Sequence, residues 1–146
     1  MRELVDIALS QYGIQEKSGS MHNPVILHYF KDIGHKWVTT DETAWCSAFM
    51  NWVALKANCE RSGKLYARSW LGIGTEIEEP QIGDLVIFWR EGKNSWKGHV
   101  AIFINFSQNG KQIHCLGGNQ NNKVCIKPYP IRRLLGYRRL QKITSK

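Results

Sequence analysis

Cys46, His99 and Asn119 are the residues whose types and order suit nucleophilic chemistry at a carbonyl. A thiol can attack, an imidazole can take and return the proton, and a side-chain amide can hold the ring in place. Cys46 lies in Trp45-Cys46-Ser47-Ala48-Phe49-Met50-Asn51-Trp52, in the first turn of a predicted helix. The dipole and the unpaired N–H groups there favour thiolate, lowering a cysteine pKa from about 8.5 to roughly 3.5–7.5. Met50, Val53 and Ala57 share its face, so by itself Cys46 also reads as a core residue. His99 begins the run Gly98-His99-Val100-Ala101-Ile102-Phe103-Ile104, where a strand start gives a base a rigid mount and one open edge. Asn119 sits in Leu116-Gly117-Gly118-Asn119-Gln120. Gly-Gly-Asn is also ordinary turn chemistry, and only the company of Cys46 and His99 gives Asn119 a role.

The elements that must position these residues read as helices first and strands afterwards. Leu4, Ala8 and Tyr12 recur at helical spacing, with Gly13 as a left-handed stop. Asn23-Pro24 marks a turn before a short helix over 25–30, and a further helix is expected from near Asp41–Thr43 to about Ala57, capped by Asp41 or Thr43. Asp84 to Trp89, His99 to Phe106, Ile113 to Leu116, Val124 to Ile126 and Gly136 to Leu140 read as strands. This order predicts an α+β fold with N-terminal helices packed on an antiparallel sheet of about five strands, as one catalytic domain over 1–146.

Composition narrows the function classes. A 146-residue chain with 42% hydrophobic and 22% charged residues is a globular domain rather than a disordered one. A net charge of +8 favours an anionic partner: nucleic acid, an acidic membrane face or an anionic cell wall. Charges at Arg2, Glu3 and Asp6 interrupt any secretory apolar run, so none is expected. No stretch approaches the ~18 apolar residues of a membrane span. Cys46, Cys59, Cys115 and Cys125 show neither a CxxC pair nor zinc-ligand spacing, and His22, His28 and His35 fit no familiar metal pattern. No metal or cofactor is expected, and Cys46 is expected unpaired.

The motifs together resemble the CHAP and NlpC-type cysteine peptidases and amidases, compact relatives of papain. The matching segments are Trp45-Cys46-Ser47-Ala48-Phe49, Pro80-Gln81-Ile82-Gly83-Asp84-Leu85-Val86-Ile87-Phe88, Gly98-His99-Val100-Ala101-Ile102 and Gly117-Gly118-Asn119-Gln120. A subgroup met in phage and secretion-system contexts is similar also at His22-Asn23-Pro24, Ala67-Arg68-Ser69-Trp70-Leu71 and Leu135-Gly136-Tyr137. The resemblance implies amide hydrolysis in peptidoglycan through an acyl-enzyme, with Cys46 as nucleophile, His99 as base, Asn119 as orienter and the Cys46 N–H as an oxyanion donor. Many CHAP members carry an acidic residue two positions before the asparagine, where this chain has Gly117. The Asp-rich calcium loop of some relatives is absent.

Around that centre, Glu16, His22 and Asn23 precede the nucleophile, where relatives build part of the substrate groove. Trp45, Trp70, Trp96 and Gln120 complete the substrate-binding candidates, although the helical spacing of Trp45, Phe49 and Trp52 favours core over ligand platform, and Arg68 and Trp70 suit packing as well as recognition. The expected partner is the stem peptide of peptidoglycan, met by a monomer after lysis or dedicated export, with an immunity or delivery protein as a further partner of such enzymes. Two rival readings remain: an anionic-polymer binder, nucleic acid included, and an acyltransferase or deamidase using the same residues on protein.

Overall fold

The computed structural model describes residues 1–17, 22–37 and 44–143. Three helices precede the sheet: α1 (Arg2–Leu9), α2 (Pro24–Asp32) and α3 (Cys46–Lys56). Helix α1 buries Leu4, Val5 and Ala8 along one stripe. Helix α2 starts where the Asn23 side chain accepts the Val25 N–H and Pro24 takes the first turn, and it buries Ile26, Tyr29 and Phe30. Helix α3 is buried nearly all round, as befits the central helix of a core. Its buried polar groups are satisfied: Ser47 Oγ donates to Lys64 O at 2.6 Å, and Asn51 Oδ1 accepts the Gly63 N–H at 2.7 Å.

Six strands follow: β1 (Thr75–Ile77), β2 (Leu85–Trp89), β3 (Gly98–Phe106), β4 (Gln112–Gln120), β5 (Lys123–Pro130) and β6 (Leu134–Arg139). They form one antiparallel sheet in the order β1-β6-β2-β3-β4-β5. Period-two alternation divides its residues: Leu85, Ile87, Val100, Ile102 and Leu116 join the helices, while Val86, Phe88, Ala101, Phe103 and Tyr137 form a second cluster. Buried Asp84, at the head of β2, accepts two hydrogen bonds at 2.8 Å from the Arg139 guanidinium at the end of β6. The Gly83-Asp84 motif therefore fastens the last strand to the sheet.

The α+β architecture agrees with the sequence reading, with differences of detail; helix α1, for one, ends at Leu9 and does not reach Tyr12 or the expected Gly13 stop. A sixth strand, β1, is present; its exposed Thr75 and Glu76 and half-buried Ile77 carry no alternating pattern. Helix α3 begins at Cys46 with Trp45 as its cap residue, so no side chain caps it. The expected caps Asp41 and Thr43 lie outside the described residues. Strand β4 continues through Asn119 to Gln120 instead of ending at Leu116, with an irregularity in its pairing between Gly117 and Gln120. Asn119 itself takes φ 58, a left-handed conformation that asparagine tolerates.

Candidate active site

Cys46 is the first residue of α3, where the N–H groups of the opening turn have no intrahelical acceptor. The nearby backbone N–H groups of Val100, Ser47 and Cys46 itself favour its thiolate. Val100 follows His99 directly in β3, so the nucleophile candidate lies against the strand that carries the base candidate. Burial nevertheless pushes the Cys46 thiol up, outweighing these N–H groups and the nearby Arg90 charge. The preformed thiolate expected from the helix dipole is thus not the resting form: desolvation of a thiol that is only 6% exposed wins.

His99 is 4% exposed and stacks on Tyr129, ring centroids 4.8 Å apart. Its Nε2 lies 2.9 Å from Oε1 of Gln120. The orientation of that amide is fixed, because Gln120 Nε2 donates to Cys125 O at 2.7 Å and to Cys115 O at 3.1 Å. With both amide hydrogens used, Oε1 can only accept, so His99 Nε2 carries the proton and Nδ1 keeps the lone pair. Burial holds the imidazole pKa down at about 4; the Gln120 bond opposes this, and the charges of Arg90 and Lys127 add to it. At neutral pH the pair is therefore thiol and neutral imidazole.

The orienting contact expected of Asn119 is made by its neighbour Gln120. Asn119 lines the cavity beside His99, and the left-handed bend at 119 lets the next side chain turn inward. Glycine at 117 is what leaves room: a Cβ there would stand 2.8 Å from Gln120 Oε1 and 2.9 Å from the Ala101 methyl. A Cβ at 118 would meet both Phe49 Cβ and the Trp45 ring at 2.7 Å. The Gly-Gly pair therefore seats the Gln120 amide on one side and α3 on the other.

Two hollows open at the site. One, of about 210 Å³, is lined by Arg90, His99, Asn119 and Tyr129 among others. The second, of about 230 Å³, takes in Cys46, Tyr66, Arg90 and Trp96. Arg90 belongs to both. The loop between β2 and β3 is clipped by Arg68, whose guanidinium donates to the carbonyls of Gly92, Lys93 and Lys97 at 2.8–2.9 Å. Gly98 is required beneath that clip, since a Cβ there would meet Phe88 O at 2.6 Å.

The other substrate-binding candidates divide. Trp96, 69% exposed, stands at the Cys46 hollow. Trp45 and Trp70 are fully buried, which removes them from any groove: Trp45 donates to Glu16 Oε1 at 2.6 Å, and Trp70 donates to Ser47 Oγ at 3.0 Å. Glu16 therefore serves the Trp45 indole, and Asn23 caps α2 while donating to Gln15 O at 2.8 Å. His22, half-buried beside that cap, lines neither hollow. Gln120, expected to touch substrate, is fully buried and touches His99 instead. Sequence reasoning did not single out Arg90, Lys127, Tyr129 or Arg133, which line the first hollow; Arg133 stood out only within a mild C-terminal concentration of basic residues. The four cysteines are free thiols, and the described residues include no cluster of metal-ligating side chains.

Three helices on an antiparallel sheet, with a cysteine opening the central helix, define the papain-like fold of the NlpC and CHAP type. The CHAP domain family matches residues 38–119, more than half of the chain, and the chain belongs to that family. The family is of the peptidoglycan-hydrolase type. Among solved structures, a Staphylococcus aureus protein described as similar to lipoprotein, NLP/P60 family, shares the fold with a TM-score of 0.53 at 22% identity. The match covers 94% of this chain and 40% of that one, so this chain spans less than half of that protein's length. No curated protein matches the chain.

Proposed function

We propose that the chain is a one-domain cysteine hydrolase that cleaves an amide bond of the peptidoglycan stem peptide, as an N-acetylmuramoyl-L-alanine amidase or a peptide endopeptidase. The observation that carries this reading is the buried His99–Gln120 pair, which leaves the ring's lone pair on Nδ1, beside a cysteine that opens α3, with Arg90 shared by the His99 and Cys46 hollows. The Cys46 proton passes to His99 Nδ1 as sulfur attacks the carbonyl carbon. The Cys46 N–H, at an uncapped helix start, stabilises the oxyanion. The imidazolium then protonates the leaving amine, and water, deprotonated by His99, releases the acid and restores the thiol. Gln120 holds the imidazole throughout, and Asn119 shapes the cavity wall. The enzyme acts as a monomer, reaching the wall after lysis or dedicated export.

The test is digestion of purified peptidoglycan with fragments identified by mass. Stem peptides with a new free N-terminal alanine and intact glycan strands mark an amidase; shortened stems mark an endopeptidase. No fragments from folded protein, with acyl transfer or glutamine deamidation on a protein substrate instead, would replace this reading with the rival one.

A further inference from the structure

The hollow beside His99 is lined by three cationic side chains, Arg90, Lys127 and Arg133, and by no carboxylate. Among the described residues none of the three forms an ion pair, whereas Lys97, Arg139 and Lys142 each have one. Arg133 carries a stronger sign. Its Nε is the one buried side-chain polar atom among the described residues without a hydrogen-bond partner. Buried donors are normally satisfied, so the Arg133 side chain keeps hydrogen-bonding capacity that the described residues do not use. The cations are held in place by ring contacts: Arg133 lies over Trp89 at 5.4 Å, and Lys127 lies over Tyr129 at 5.4 Å while donating to Asn121 Oδ1 at 3.2 Å.

We infer that this hollow is an anion subsite that takes a carboxylate of the substrate peptide next to the amide being cleaved, bound by Arg133 and Lys127 with Arg90 at the junction with the Cys46 hollow. This rests on the hydrolase reading for the word substrate, but the subsite itself is defined by its charges. A guanidinium matches a carboxylate with two parallel N–H···O bonds, and a space of about 210 Å³ holds a short acidic side chain or terminus rather than a folded polymer. Burial holds the unliganded imidazole neutral and the charges of Arg90 and Lys127 add to this, so a carboxylate bound between them also shifts His99 part of the way back toward its ordinary basicity. Substrate binding would then strengthen the base at the moment it is needed.

The experiment uses full-length Cys46→Ala protein, which cannot turn over, and two probes: the acetylated dipeptide amide Ala-Glu and its Ala-Gln counterpart. They differ by one charge and almost nothing in shape. Binding is followed by NMR titration together with the pH titration of the His99 ring. Ala-Glu should bind at least about tenfold more tightly than Ala-Gln. It alone should raise the His99 pKa, and Lys127→Met or Arg133→Met should bring the two affinities together. Met keeps an apolar stem over the ring, and melting curves confirm that each variant is folded. Equal affinities, or no binding of either probe, overturn the subsite, as does a single-stranded oligonucleotide that outcompetes Ala-Glu at these residues. Release of peptidoglycan fragments without a charge preference keeps the hydrolase reading and removes the subsite. A charge preference without fragments does the reverse.

Discussion

Gln120 gives both of its amide hydrogens to the carbonyls of Cys115 and Cys125 and so has only oxygen left to offer His99, at 2.9 Å. The proton position on the imidazole is therefore decided two residues deep in the sheet. Replacing Gln120 by Leu removes that decision and leaves two buried carbonyls without a donor. Activity on purified peptidoglycan should fall about 10–100-fold in kcat, by analogy with other supporting contacts, with a stability loss of about 1–3 kcal/mol. Asn119→Gly keeps the φ of 58 open and should stay within a few-fold of wild type. Large loss at 119 with little at 120 would return the orienting role to Asn119.

Cys46→Ala, Cys46→Ser and His99→Ala should each abolish nearly all fragment release, because members of such a set act as a unit. Cys115→Ala and Cys125→Ala remove buried thiols outside the proposed chemistry and should cost packing alone. An active Cys46→Ala protein would assign the nucleophile elsewhere.

The resting thiol state has its own signature. Because burial raises the Cys46 pKa, alkylation by iodoacetamide should keep rising with pH beyond about pH 8. A rate that levels off under acid conditions would mean a preformed thiolate.

His99 makes stability depend on pH. Its folded pKa of about 4 lies below the unfolded 6.5, so between those values the unfolded chain binds a proton that the folded chain refuses. The contribution is fully present above about pH 6.5 and is lost as pH falls to about 4, a change of about 3 kcal/mol. Urea midpoints of wild type and His99→Gln should converge across that window. Parallel curves would mean that the imidazole is not held neutral by the fold.

Arg68→Met should loosen the loop ahead of His99, since three loop carbonyls lose their donor. Faster amide hydrogen exchange over residues 91–97 and a several-fold drop in kcat/KM are expected. Unchanged exchange would make the clip dispensable.

The helices and five of the strands were legible because apolar spacing of about 3.6 and 2 survives in Leu4-Val5-Ala8 and Leu85–Phe88. Cys46 and His99 were legible because each opens such an element. Gln120 was not: its inward turn depends on the left-handed residue before it and on the missing side chain at 117, neither of which has a periodicity. Trp45 was legible as core from its helical spacing with Phe49 and Trp52, whereas Trp70 suited packing and recognition alike. Both turn inward because Glu16 and Ser47, distant in sequence, satisfy their N–H groups there. The basic hollow was hidden because Arg90, Lys127 and Arg133 come from three separate segments: the first two read along the chain as scattered charge, and Arg133 as one of a mild C-terminal concentration.

Strand β6 lies between β1 and β2, so a segment made well after Cys46 and His99 completes the middle of the sheet. Until Leu134–Arg139 emerges, the apolar strand Leu85–Trp89 has one edge unpaired and Asp84 lacks its guanidinium. A nascent chain can thus carry Cys46 and His99 while still lacking the framework that aligns them. Synthesis and assembly of the site are separated in time, and a chain halted before Leu134 is a candidate for chaperone capture or aggregation through that open edge.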